Sequence, residues 1–253
     1  MSNLNQRMRG PALWSLLLVA VLGSVWITGF TPAHMRSWGD AGTFVREMFP
    51  PDWSVLPKVL KGMVETVAIA FLGTALASLI AFPASFLTAR NIGPKWLGAL
   101  IRAVMSLLRS VPEILFALIF VMATEFGDVP GVLALAAHNI GILTKLFGEI
   151  FEAAPPGPLE AMTATGAGRG TVIWYGVLPA ATPGLLSHWF FRFECNIRTA
   201  TILGVVGAGG IGELLMRHKA LFNYNAMAVD TLGILALVVL ADALGAIVRK
   251  QVT

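Results

Sequence analysis

The sequence predicts an all-α, polytopic membrane fold of about six transmembrane helices, and three observations predict it. Hydrophobic residues fill 56% of the 253 positions and charged residues only 13%, against roughly 25% charged in an ordinary soluble domain. The apolar residues collect in six long runs, and Lys and Arg concentrate near the ends of those runs. A surface this poor in charge faces lipid over much of its area, and roughly 20 apolar residues in helix cross a bilayer.

The first run is Ala12 to Phe30, preceded by Arg7 and Arg9. Charged residues followed by an apolar core resemble a secretion signal. The run is as long as a span and no A-x-A site closes it, so it reads as a retained first helix. The second runs from about Val59 to Leu87, the third from Leu97 to Ala123, and the fourth from Val132 to Phe151. The fifth is roughly Ala180 to Val206 and the sixth Ala226 to Val248. Pro83, Pro112 and Pro183 fall inside runs and are expected to kink them. The whole chain, 1–253, reads as a single transmembrane domain.

Six spans place Arg7, Arg9, Arg90, Lys95, Arg102, Arg169, Arg249 and Lys250 on one side. The excess of positive charge marks that side as cytoplasmic, with both termini there, although Arg36, Arg46, Lys58, Lys61, Arg217 and Lys219 fall opposite. The net charge of +4 is dispersed over span ends, which argues against nucleic acid as a partner. Cys195 is the only cysteine and the four histidines are far apart, so no metal site is expected. Two connections are long. Thr31 to Pro57 should hold a short interfacial helix, and Glu152 to Pro179, rich in Gly, Ala and Thr, should carry function.

Within that second connection the chain reads Glu160-Ala161-Met162-Thr163-Ala164-Thr165-Gly166, then Leu178-Pro179. This resembles the cytoplasmic EAA loop of ABC importer permeases: E-A-A, three residues, G, nine residues, I, one residue, L-P. Glu160, Ala161, Gly166, Leu178 and Pro179 fall at the required offsets, while Met162 and Gly176 depart. Glu152-Ala153-Ala154 also spells the motif, but Pro158 stands where Gly is needed and Pro155-Pro156 should block the helix. A short helix from Leu159 to Ala167 is expected instead, ended by glycines. Arg109-Ser110-Val111-Pro112-Glu113 and the run Asn196 to Gly212 extend the likeness, from about the second span onward, to permeases of phosphonate importers. Phosphite and methionine permeases share much of the same stretch.

The resemblance implies a type I ABC importer permease: a transport subunit rather than an enzyme, in the bacterial inner membrane. It implies a second copy of the chain, two cytoplasmic ATPase subunits coupled through Glu160, Ala161, Gly166, Leu178 and Pro179, and an extracytoplasmic binding protein. ATP and Mg would be bound by the ATPase partner and no cofactor by this chain; it has no G-x-x-x-x-G-K-[ST] loop. A secondary transporter, the reading from another class, would show an inverted repeat, and none is visible.

Ionisable residues inside spans are costly. Arg109 with Glu113, and Glu194 with Arg198, are four apart and would share helix faces. They read either as ion pairs or, with Asn196, as an anion path, since guanidinium forks suit tetrahedral oxyanions. Asn196, His138 and Asn139 are polar pathway groups or interhelical hydrogen bonds. Gly207-Ala208-Gly209-Gly210-Ile211-Gly212 matches a dinucleotide fingerprint by letter but lacks its strand–helix setting. It reads as an outer gate or as close glycine packing.

Overall fold

The computed structural model describes residues 2–29 and 38–252, every regular element of which is helical. Met1, Thr253, Phe30 at the end of the first apolar run and residues 31–37 of the first long connection lie outside them. The chain forms two compact units, Met1–Phe49 and Pro50–Thr253. The first holds α1 (Ser2–Thr28), whose apolar stretch is Trp14–Thr28, and α2 (Trp38–Glu47). Helix α2 is the short helix expected before Pro57.

In the second unit, a single helical turn at Trp53–Val55, capped by the Asp52 carboxylate on the Ser54 N–H at 3.0 Å, leads into α3 (Leu56–Thr88). Next come α4 (Lys95–Ser110), α5 (Glu113–Thr124), α6 (Asp128–Glu152), α7 (Pro156–Ala164) and α8 (Arg169–Val172). A π-helical turn, Ile173–Val177, enters α9 (Leu178–Gly204), followed by α10 (Gly210–Ala220) and α11 (Tyr224–Val252). Among the described residues, three helices are long and apolar enough to cross a membrane: α3 with its leading turn, α6 and α11. The bent pair α4–α5 adds a fourth if it is counted as one broken span. Helix α9, with 27 residues, is long enough at about 1.5 Å per residue, but it carries Arg192, Glu194 and Arg198.

The third apolar run, expected as one span, is two helices meeting at 83°. Pro112 disfavours helical backbone at Val111, which is extended at φ −83°, ψ 123°, so the helix stops there and restarts in a new direction. Pro83 and Pro183 instead stay inside continuous α3 and α9.

Helices α3 and α6 run parallel in close contact, Ile69 lying beside Gly131 and Thr88 beside Gly148. Small residues on α3, among them Ala70, Ala77 and Ala81, permit this approach. One core gathers Val59, Ile69, Leu135, Leu203, Ile211 and Val229. A second gathers Ala77, Leu143, Phe147, Phe151 and Val177, with Phe86 stacked on Phe151 at 4.5 Å. The second core marks the end of the unit that carries the 153–177 connection. There the Arg90 N–H donates to Glu152 at 2.7 Å and the Asn91 amide to the Phe151 carbonyl at 3.0 Å.

Candidate functional site

The connection after α6 is built by its prolines. Helix α6 ends at Glu152, with Ala153 as its cap, and Pro155 and Pro156 start α7. This corrects the expected start at Leu159: a proline in a first helical turn has no hydrogen bond to lose, so Pro156 initiates the helix rather than blocking it. Glu160 is therefore the fifth residue of α7, not its second. Thr165 caps the C-terminus and Gly166 turns the chain at φ +80°, in the left-handed region that favours glycine. Glu160, Ala161 and Gly166 are exposed, as are Trp174 at 62% and Tyr175 at 75%. Leu178 and Pro179 form the first turn of α9, with Leu178 packed on the second core. The short helix α7 thus lies with an exposed flank between the end of α6 and the turns that lead into α9.

In the middle of the bundle a hydrogen-bonded chain crosses three helices. Asn196 of α9 donates to Thr74 of α3 at 2.7 Å, and Asn139 of α6 donates to Asn196 at 3.0 Å. The Asn139 carbonyl oxygen accepts from Arg192 Nε at 2.8 Å and Nη2 at 2.5 Å. Thr74, Asn139 and Asn196 are each fully buried. Asn196 therefore binds α3, α6 and α9 together and is fully buried in this conformation. Arg192 escaped the sequence reading. The signal was its position one turn before Asn196, on the same face of α9.

The expected pairing of Arg109 with Glu113 does not form, because the 83° break separates them. Glu113 opens α5 and lies 3.5 Å from Nε2 of His138, whose Nδ1 is 3.0 Å from the Val111 carbonyl. His138 thus covers the backbone exposed by the break. Among the described residues the Arg109 guanidinium reaches only the Ser106 hydroxyl, at 3.5 Å.

Arg198 has a different acid than expected. Its guanidinium pairs with Asp242 of α11 at 2.9 Å. Arg198 and Asp242 are 50% and 49% exposed.

The glycine-rich run is packed, not loose. Gly207, Gly209 and Gly210 have φ of +89°, +81° and +70°. A Cβ on Gly209 would meet Asp128 Oδ1 at 2.1 Å. The Gly127 N–H donates to the Gly207 carbonyl at 3.1 Å, and the Ile211 N–H to Thr66 Oγ1 at 2.9 Å. Gly212 sits in the first turn of α10, against the Thr201 carbonyl. Nearby, buried His218 lies 2.6 Å from Asp230, which also escaped the sequence reading. Among the described residues no group of three or more His, Cys, Asp or Glu could hold a metal ion.

The family described as "Binding-protein-dependent transport system inner membrane component" matches residues 81–253. A putative phosphite transport system permease protein of Stutzerimonas stutzeri is 42% identical over 200 residues, 79% of this chain and 71% of the relative. A phosphite transport system permease protein of the same organism is 36% identical over 240 residues, covering 94% and 87%. A putative cryptic phosphonate transport system permease protein of Escherichia coli K12 is 44% identical over 119 residues, 47% of this chain and 98% of the relative. Among solved structures, a chain of the inward-facing MetNI methionine ABC transporter shares the fold. Its TM-score is 0.69 at 22% identity, covering 80% of this chain and 99% of that one.

Proposed function

Because the chain belongs to the family of binding-protein-dependent transport system inner membrane components, we propose that it is the permease subunit through which an ATP-driven importer moves phosphonate, or a related phosphorus oxyanion such as phosphite. It is a transport component, not an enzyme, and works in a membrane complex with an ATPase and a binding protein. Two copies enclose the path, two ATPase subunits grip the exposed α7 connections, and the binding protein delivers substrate at the opposite end. ATP and Mg reside in the ATPase. The end carrying α7 and both termini are cytoplasmic.

The observation that carries the path is the Arg198–Asp242 pair. A charge at the bilayer centre costs about 2.5–3.5 kcal/mol even by the mildest scale. A pair half-exposed on the long helices α9 and α11 therefore belongs against water or a protein partner, not lipid. A second copy facing these helices encloses a polar seam. There an incoming oxyanion competes with Asp242 for the Arg198 fork. Glu194, one turn from Arg198, adds negative charge that hastens release. Gly207, Gly209, Gly210 and Gly212, wedged between α3, α6 and α9, form the outer gate.

The test is uptake into proteoliposomes that hold the chain with the ATPase and binding protein encoded beside it. Labelled methylphosphonate, phosphite and methionine are compared with and without ATP. ATP-dependent uptake of a phosphorus oxyanion is expected, and uptake without ATP or of methionine alone would overturn the reading. Replacing both Arg198 and Asp242 with Ala strands neither partner of the pair, so assembly should persist while uptake falls at least tenfold. Uptake at the wild-type rate would make the pair structural only.

A further inference from the structure

A cleft of about 370 Å³ opens between α3, α4 and α6, at the end that carries the 153–177 connection. It lies within the size range of ligand sites. Four cationic side chains line it, Arg90, Arg102, Arg109 and Lys145, against two carboxylates, Glu149 and Glu152. Both carboxylates are already engaged, Glu149 with Lys145 at 3.5 Å and Glu152 by the Arg90 backbone N–H at 2.7 Å. Among the described residues no carboxylate lies within ion-pair distance of the Arg90 or Arg109 guanidinium. Arg102 gives Nη1 to the Thr88 carbonyl and keeps its other donors.

Positive charge at span ends is common, and alone it would signify only membrane orientation. A second observation points to a ligand. Thr144 lies in the cleft wall, fully buried, and its hydroxyl has no hydrogen-bond partner. A buried hydroxyl left unbonded is destabilising, and most such groups in native proteins are satisfied. On α4, Arg102, Ser106 and Arg109 follow one another at i, i+4 and i+7, so one helix face presents both guanidinium forks and a hydroxyl to the cleft. Guanidinium forks beside an idle hydroxyl complement a tetrahedral group with several acceptor oxygens and net negative charge.

We propose that this cleft binds a phosphorus oxyanion, free or as the headgroup of an anionic lipid, with Arg90, Arg109 and Thr144 as its ligands. The site is separate from the Arg198 seam and does not depend on the transport reading, because its occupancy is measured on the chain alone. Basic pockets between membrane helices are a known setting for anionic headgroups.

The experiment uses the full chain purified in dodecyl maltoside, a detergent without phosphate. One arm measures ³²P-orthophosphate by equilibrium dialysis; the other measures retained phosphatidylglycerol or cardiolipin by native mass spectrometry. Saturable binding of about one phosphate per chain assigns the free anion, and lipid adducts without phosphate binding assign the headgroup. In either case Arg109→Gln and Thr144→Val should each weaken binding about tenfold. Arg90→Gln, at an exposed position, should do so with no effect on folding. Thr144→Val removes no bond of the unliganded protein, so its unfolding temperature without ligand should not fall. Lys219→Gln, on α10 at the far end, should leave binding unchanged. Failure of both probes to bind overturns the proposal. So does equal binding by wild type and the three cleft variants, or an equal loss in Lys219→Gln.

Discussion

Arg192 and Asn139 show how a charge is kept inside this bundle. The guanidinium is held by one amide oxygen, and that amide is fixed by Asn196 and through it by Thr74. Removing Asn139 strands a cation and leaves Asn196 without its donor. A broken buried network of this kind costs about 1–3 kcal/mol. We expect Asn139→Leu to lower the unfolding temperature in detergent, and Asn139→Leu combined with Arg192→Leu to recover part of the loss. An unchanged melting curve for the single variant would show that the network contributes nothing. The sequence revealed that Asn139 and Asn196 sit in apolar surroundings but not that they meet, because their 57-residue separation is closed only by helix packing. Arg198 teaches the same lesson. Spacing offered Glu194 on its own helix, whereas the structure pairs it with Asp242, 44 residues away.

At the scale of elements, hydropathy located the long helices because burial in lipid is written directly into composition. It could not register direction, so the run from Leu97 to Ala123 read as one rod although Pro112 sits at an 83° corner. The connection between α6 and α9 was legible as a short helix ended by a glycine turn, since its motif is a spacing of small residues. Its helix start was not, because Pro156 acts as an initiator there. Gly166 carries the sharpest expectation. Its φ of +80° suits no β-branched side chain, and forcing one there costs about 1–3 kcal/mol locally. Gly166→Val, like Glu160→Ala, should leave membrane insertion and yield unchanged while reducing ATPase recovered in a pull-down and abolishing transport-coupled hydrolysis. Full stoichiometry and wild-type coupling in both variants would remove this connection from the ATPase interface.

For the whole molecule, orientation is the property that every functional statement shares. Ser54 lies at one end of the second unit, and Thr165 in the connection at the other. On a Cys195→Ala background, a cysteine at Ser54 should react with an impermeant thiol reagent in intact cells. Cysteines at Ser2 and Thr165 should react only after permeabilisation. Labelling of Thr165 from outside would invert the topology and with it the side on which the ATPase docks.

The corner between α4 and α5 also bears on how the chain is made. Its two arms, 16 and 12 residues long, extend about 24 and 18 Å, so neither crosses the hydrocarbon layer alone. The Val111 carbonyl at the corner has its polar partner in His138, which is synthesised 27 residues later. Lipid offers no substitute for that partner. The segment is therefore expected to settle only once α6 has been made, so the corner completes its packing after its own residues are synthesised.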